Sequence, residues 1–398
     1  MKYIVIVPDG MADYPVDALG GKTPLQAAHT PHMDALAQAG EVGRAKTVPP
    51  GLPADSAVAN LSVMGYDPAR WYTGRSPLEA VSMGIEMGPK DVAFRCNLVT
   101  LTQDGPYAEK TMADYSAGEI STEEAAPLIE AVQAELGDAL RTFYPGISYR
   151  HCMIWQGGTV GLELSKPHDI LGRPIKNYLP DHDKAAEIYN LMEKSVAILS
   201  KHPVNQKRMA AGKNPANAIW LWGEGRKPAL PAFHETYGKR GAVISAVDLI
   251  KGIGCCAGMD VIEVEGATGN LHTNYHGKAA AALEALKGGT DLVYVHIEAP
   301  DECGHQQDRD GKIYSIEHID REVIGWLREN LPPDWDYRML VMPDHPTPLS
   351  LRTHTDEPVP FVIYDSTAPK KGPAQFSETA EASMYIEDGY TLMSLFLK

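Results

Sequence analysis

The chain has 398 residues, of which 44% are hydrophobic and 22% charged, and a formal net charge of -16. That length exceeds one simple core and implies two domains or one with an insertion, while the composition excludes the disordered, collagenous and membrane-embedded classes. The acidic balance argues against nucleic acid or an anionic membrane as a partner, but leaves small anionic substrates open, because a few cations or metal ions can dominate a pocket.

In chain order, the first element is a buried strand at residues 3–7 in MKYIVIVPDG. Its apolar run is broken by Pro8 and Asp9 and is too short for a signal segment or a membrane span. The five cysteines (Cys96, Cys152, Cys255, Cys256, Cys303) are odd in number and lack metal-knuckle spacing, so a reducing cytoplasm is expected. In GLPADSAVANLSVMGYDP, Pro53 and Asp55 mark a loop, and helical content runs from residue 56 to 64. From about residue 91 to 180 the character changes: FRCNLVTLT and ISYRHCMIW read as strands around a helix that starts at the capping-box pair Ser121 and Glu124. This segment is expected to be a smaller α+β lid domain at 91–180, inserted into a core made of 1–90 and 181–398, with a hinge at 174–180.

Residues 183–199 read as a helix with Ile188, Leu191, Met192 and Leu199 on one side. Short apolar strands then recur at 218–222, 242–244, 261–264, 292–297, 338–342 and 361–364, with helices predicted at 277–286 and 313–327. In the last of these, Ile316, Ile319, Val323 and Leu327 fall at spacings of three and four. Fully apolar strands alternating with helices predict an α/β core with a parallel or mostly parallel sheet covered on both faces.

Acidic and imidazole side chains follow several of these strands, where binding crevices form in open α/β sheets. Asp9 follows the first; Asp301 and His305 follow VYVHIEAP; Asp344 and His345 follow RMLVMP; His354 comes ten residues later. Asp301 and His305, four apart, share one face of a helical turn, a spacing suited to chelation. A lone DxxxH is more often a surface pair, and a DH after a strand is often a capped turn, but three carboxylates and three histidines placed this way suit two ions such as Mn or Zn. Two such ions stabilise the attacking and leaving oxygens of an in-line displacement. Ser56 is the candidate nucleophile; a serine at a helix start is by itself more often an N-cap.

Together VPDGMADYP, SAVANLSVMGYDP, TGRSPLEA, DVAFRCN, DYSAGEIST, YGKRGAVISAVDL, GATGNLHTNYHGKA, HIEAPDECGH, PDHPTP and RTHTDEPVPF resemble the archaeal-type cofactor-independent phosphoglycerate mutases of the alkaline phosphatase superfamily. The resemblance implies an alkaline-phosphatase-like core and two divalent ions, with Mn favoured over Zn, Co or Mg. One ion would be held by Asp301, His305 and His354, the other by Asp9, Ser56, Asp344 and His345. It further implies that Ser56 takes the phosphoryl group from 3-phosphoglycerate and returns it to give 2-phosphoglycerate, with the lid excluding water. Arg95 and Arg150, with Asn97, His151 and Asp169, are candidates to hold the substrate carboxylate and carry protons; Arg75 and Lys239 are added from the larger domain. His168, His272, His276 and His296 stay unassigned. Ala57 stands where such proteins commonly carry an acidic residue, with Asp55 before the serine instead. A homoserine-kinase-like phosphotransferase, a metal-dependent phosphatase or phosphonate hydrolase, and a metal-binding scaffold remain as alternatives, and no Walker-type loop is present.

Overall fold

The apolar runs near the two ends of the chain pair into one sheet in a computed structural model that describes residues 1–102, 105–180 and 183–398. At its centre β1 (Lys2–Pro8) lies between β10 (Leu292–Ile297) and β11 (Tyr337–Val341), parallel to both. On one side β8 (Gly241–Ile244) and β9 (Asp260–Ile262) extend the parallel array. On the other, β12 (Val359–Asp365) and β2 (Glu41–Ala45) run antiparallel to their inner neighbours, and β13 (Met384–Ile386) pairs with β2. Burial explains the composition: β10 is buried at every position, and Ile4, Ile6, Val293, Val295, Met339 and Val341 share one core with Ile316, Ile319, Val323 and Leu327.

These last four belong to one continuous helical path. It runs through Arg309–His318, a wider π-type winding at Ile319–Gly325, and Trp326–Asn330. Asp13 and Lys312, both buried, form an ion pair of 2.7 Å, and Lys312 Nζ also donates to the Thr347 carbonyl at 2.8 Å. That pair ties this helix to the loops after β1 and β11.

Two compact units result, Met1–Tyr72 with Ala229–Lys398, and Thr73–Pro228. The second is wider on both sides than the 91–180 expected from sequence: on the N-terminal side the helix Ser76–Ser82 joins it through Glu79 to Arg95, and on the C-terminal side the reason is strand pairing. Its sheet is antiparallel, with β3 (Val92–Leu101) between β6 (Arg150–Trp155) and β7 (Ala218–Arg226), and with β4 (Met112–Asp114) and β5 (Arg141–Ile147) outside. The run at 218–222, read above as a strand of the larger sheet, is therefore claimed by β3. The helix Ala186–Leu199 follows it, burying Ile188, Leu191, Met192 and Leu199 in the same core as Phe94 and Leu98. Ile175–Tyr178, the expected hinge, is a short turn inside this unit with Ile175 buried, and the expected boundary at residue 181 lies outside the described residues. Ser121 caps Thr122–Leu136 by accepting the Glu124 N–H, but the Glu124 carboxylate turns to the buried Arg208. Among the described residues no helix is long and apolar enough to cross a membrane, and all five cysteines are free thiols.

Candidate metal centre and nucleophile

Parallel pairing carries the C-terminal ends of β1, β10 and β11 to the same sheet edge, and each delivers polar side chains there. Asp9 follows β1 directly; Asp301 and His305 lie on the helix Ala299–Gln306 after β10; Asp344 and His345 lie just beyond β11. Gly10, at φ +61, has to be glycine: a Cβ would stand 2.6 Å from Asp301 Oδ1.

The resulting cluster is tight. His305 Nε2 lies 3.3 Å from Asp301 Oδ2, His354 Nε2 lies 3.3 Å from Asp301 Oδ1, and the two imidazole nitrogens are 2.9 Å apart. His345 Nε2 is 3.6 Å from Asp9 Oδ1 and 3.4 Å from Asp344 Oδ2, and its ring stacks on that of His354. Two trios, Asp301 with His305 and His354, and Asp9 with Asp301 and His345, each have ligand atoms within 4.8 Å of one another.

Ser56 opens the helix Ser56–Val63, but it does not cap it. Asp55 does, accepting the Ala57 N–H at 2.8 Å, so the serine hydroxyl is released from capping and lies 3.1 Å from His345 Nε2. The everyday reason for a serine at this place is thus taken over by its neighbour.

Charge in the cluster is unbalanced. Burial raises the Asp9 carboxyl well above its ordinary range, and Asp344 and Asp301 push it further in the same direction. Burial also opposes ionisation of Asp301, but hydrogen bonds from His305 and His354 outweigh it and hold that carboxyl well below its usual range. In return the Asp301 hydrogen bond lifts His305 to about 9. Asp9 Oδ1 is buried with no hydrogen-bond donor among the described residues. A buried carboxylate oxygen left bare among other carboxylates and imidazoles fits a divalent cation, for which such oxygen and nitrogen donors are the natural shell.

Four residues given no role from sequence complete the site. Asn60, one turn after Ser56, donates to Asp344 Oδ2 at 2.6 Å and to the Ser56 carbonyl at 2.8 Å, and accepts the Tyr294 hydroxyl at 2.5 Å. Thr347 donates to Asp301 Oδ1. His296 reaches Asp9 Oδ2 at 2.9 Å. The signal for Tyr294 and His296 was present: two polar-tipped residues at alternate positions of an otherwise apolar strand face one side together.

In the smaller unit, Arg95 and Asn97 on β3 and Arg150 on β6 share one sheet face, since Asn97 and Arg150 are register partners. Arg95 is clasped by both oxygens of Glu79 and lies 4.8 Å from the centre of the Trp222 ring. Asn97 accepts the Trp222 indole N–H at 3.0 Å and donates to the Tyr115 carbonyl. Arg75 immediately precedes the helix Ser76–Ser82. Asp169 is exposed, 3.6 Å from His168, whose ring stands edge-on to Trp222. His151, paired with Cys96, faces the opposite side; it accepts the Gly146 N–H on Nδ1, and burial drops its pKa to about 3.

Lys239 requires a correction. Its ammonium sits 5.3 Å from the Tyr3 ring, at the start of β1, whereas Asp9 follows the end of that strand. Six extended residues separate the two by about 20 Å, so Lys239 lies at the far edge of the sheet and cannot touch a ligand held at Asp9.

Fold and centre together define an α/β enzyme whose strand ends gather carboxylates and imidazoles able to hold metal ions. A family profile described as 2,3-bisphosphoglycerate-independent phosphoglycerate mutase matches residues 37–205, and a probable mutase of that name from Geobacter sulfurreducens is 53% identical, covering 100% of both chains. The chain belongs to the family of 2,3-bisphosphoglycerate-independent phosphoglycerate mutases. The mutase of Methanosarcina barkeri is 54% identical over 92% of this chain and 90% of its own. Among solved structures, the PH0037 protein from Pyrococcus horikoshii aligns with a TM-score of 0.83 at 30% identity, over 100% of this chain and 96% of that one. The cofactor-independent phosphoglycerate mutase from Thermoplasma acidophilum aligns with a TM-score of 0.70 at 28% identity, over 100% and 99%.

Proposed function

We propose that this protein interconverts 3-phosphoglycerate and 2-phosphoglycerate through a phosphoserine at Ser56. Two divalent cations, Mn by preference, would be held by Asp301, His305 and His354, and by Asp9, Ser56, Asp344 and His345. The observation that carries this reading is the Ser56 hydroxyl, relieved of capping by Asp55 and 3.1 Å from His345 Nε2 at the rim of the carboxylate–imidazole cluster. The cations, when bound, supply charge neutralisation of the phosphoryl oxygens and ease deprotonation of the serine.

The chain's own groups set the geometry. Asp55 fixes the first helical turn, and Asn60 holds Asp344 and the Ser56 carbonyl together, so the nucleophile and a ligand move as one piece. The bond from phosphorus to the 3-oxygen of the substrate breaks as the bond to Ser56 Oγ forms. After glycerate turns, its 2-hydroxyl oxygen takes the phosphoryl group back, so nothing is consumed and no bisphosphoglycerate is needed. In this reading Arg95, Arg150 and Asn97, with Arg75, bind the substrate carboxylate from the smaller unit. Asp169 beside His168 carries protons. His151, with a pKa of about 3 and on the other sheet face, is given no part in proton transfer.

The test is a coupled enolase assay on 3-phosphoglycerate with metal-stripped protein, no bisphosphoglycerate, and Mn added back. Mn-dependent turnover is expected, together with a protein species heavier by one phosphoryl group that maps to Ser56. Silence with Mn, Zn, Co and Mg, alongside ATP-dependent phosphorylation of homoserine, would overturn the assignment in favour of a kinase.

A further inference from the structure

Beneath the cluster runs a hydrogen-bonded chain outside the ligand set proposed above. His296, on β10, is fully buried; its Nε2 lies 2.9 Å from Asp9 Oδ2 and its Nδ1 lies 3.2 Å from Ser245 Oγ. Ser245, itself buried just past β8, already accepts the Val247 N–H on that oxygen at 3.0 Å. Val247 takes one of the two lone pairs of this oxygen and leaves its proton free; an ionised Asp9 can only accept, so His296 Nε2 donates to it and the bare Nδ1 receives the Ser245 proton. A neutral imidazole that accepts at Nδ1 carries its own proton on Nε2, where it donates to Asp9. Lys278, also buried, fixes the same stretch from the other side by donating to the His296 carbonyl at 3.0 Å.

We infer that His296 is a positioning residue that engages Asp9 Oδ2 and leaves Asp9 Oδ1 as the one oxygen this carboxylate offers to a cation, with Ser245 supporting the tautomer that can do so. Asp9 Oδ1 is the oxygen with no donor among the described residues, and it faces His345 Nε2 at 3.6 Å. Without the His296 bond the carboxylate would be free to rotate and present either oxygen, and the order of the site would be lost. The inference rests on the metal-ligand role proposed for Asp9. Asp9, His296 and Asp344 also bring ligand atoms within 4.8 Å of one another, so a further cation bound directly through His296 is the rival arrangement.

Calorimetric titration of metal-free protein with Mn separates these. Wild type is expected to take up two ions. His296→Phe should weaken one of them by about 10–100-fold, and His296→Gln, whose amide can donate to Asp9 from a similar distance, should restore most of that loss. Nitrogen-15 spectra of histidine-labelled protein loaded with diamagnetic Zn should show His296 protonated on Nε2 and bare on Nδ1, with Ser245→Ala producing a mixture. Unchanged Mn affinities in His296→Phe, a proton on Nδ1 in wild type, or a third Mn that vanishes in His296→Phe would each overturn the inference. If the Phe variant does not fold, the Gln variant and the tautomer decide. A wild type that binds no Mn sinks the metal assignment first and this inference with it, a result distinct from two tight sites that ignore His296.

Discussion

The two units treat their candidate functional residues in opposite ways. In the larger one, three carboxylates are packed against each other and against imidazoles, and a buried oxygen of Asp9 is left bare. In the smaller one, two of the candidates have protein partners already: Arg95 has Glu79 and the Trp222 face, and Asn97 has the Trp222 indole and the Tyr115 carbonyl. The first arrangement is poorly balanced by the chain alone, and a cation would balance it. The second is satisfied as it stands, and in the proposed reaction it would exchange partners when an anion arrives. Unsatisfied buried charge marks a resident ligand; satisfied but accessible charge marks one that comes and goes.

The comparison breaks most directly at the proposed nucleophile. Ser56→Ala should reduce mutase activity on the order of 10⁴-fold or more in the coupled assay. Because Asp55 is the cap, its melting temperature should match wild type, with a stability change within about 0.5 kcal/mol. A large loss of stability would show that the serine is structural. Next in size is Lys312→Met, which strands the Asp13 carboxylate behind the centre; a loss of about 3–5 kcal/mol is expected in denaturant unfolding, since one partner of a buried pair remains.

A third effect sharpens the contrast through pH. His305 is lifted from 6.5 to about 9 by Asp301, so in metal-free protein the stabilisation from this pair is full below pH 6.5 and is lost as pH rises toward 9. The melting temperature of chelator-treated protein should fall over that window. The fall should disappear in His305→Asn and on saturation with Mn, which takes the place of the protons; Mn at 100 times its Kd adds about 2.7 kcal/mol. A smaller change is expected from Asp55→Ala, which removes the cap at a loss of about 1 kcal/mol and lets the nucleophile's turn fray, lowering activity more than stability. Smallest of all is Lys239→Ala, which should leave KM for 3-phosphoglycerate unaltered because its ammonium is at the wrong edge of the sheet.

Much of this was legible in the sequence. Apolar runs of four to seven residues are local signals, and in a parallel sheet the loop after each strand emerges at one edge, so Asp9, Asp301, Asp344 and His345 could be expected to converge. The four-residue spacing of Asp301 and His305 is equally local, fixed by the pitch of a helix. What local pattern could not settle was partner choice. The strand Ala218–Arg226 is as apolar as those of the larger sheet, and only its pairing with β3 sends it and the helix Ala186–Leu199 to the smaller unit. Sequence proximity to a motif placed Lys239 near the site; strand direction placed it at the other end. Nor could a single serine reveal whether it or the preceding aspartate would cap the helix, a choice made by backbone angles and the pull of His345. The sequence alone determined which chemical groups the protein brings and on which elements they ride, because those follow from periodicity within a few residues. The tertiary structure decided which oxygen of Asp9 is tied down and which is left open, and how Asp344 is held, because that depends on His296, and on Asn60 with Tyr294, reaching across hundreds of residues of chain.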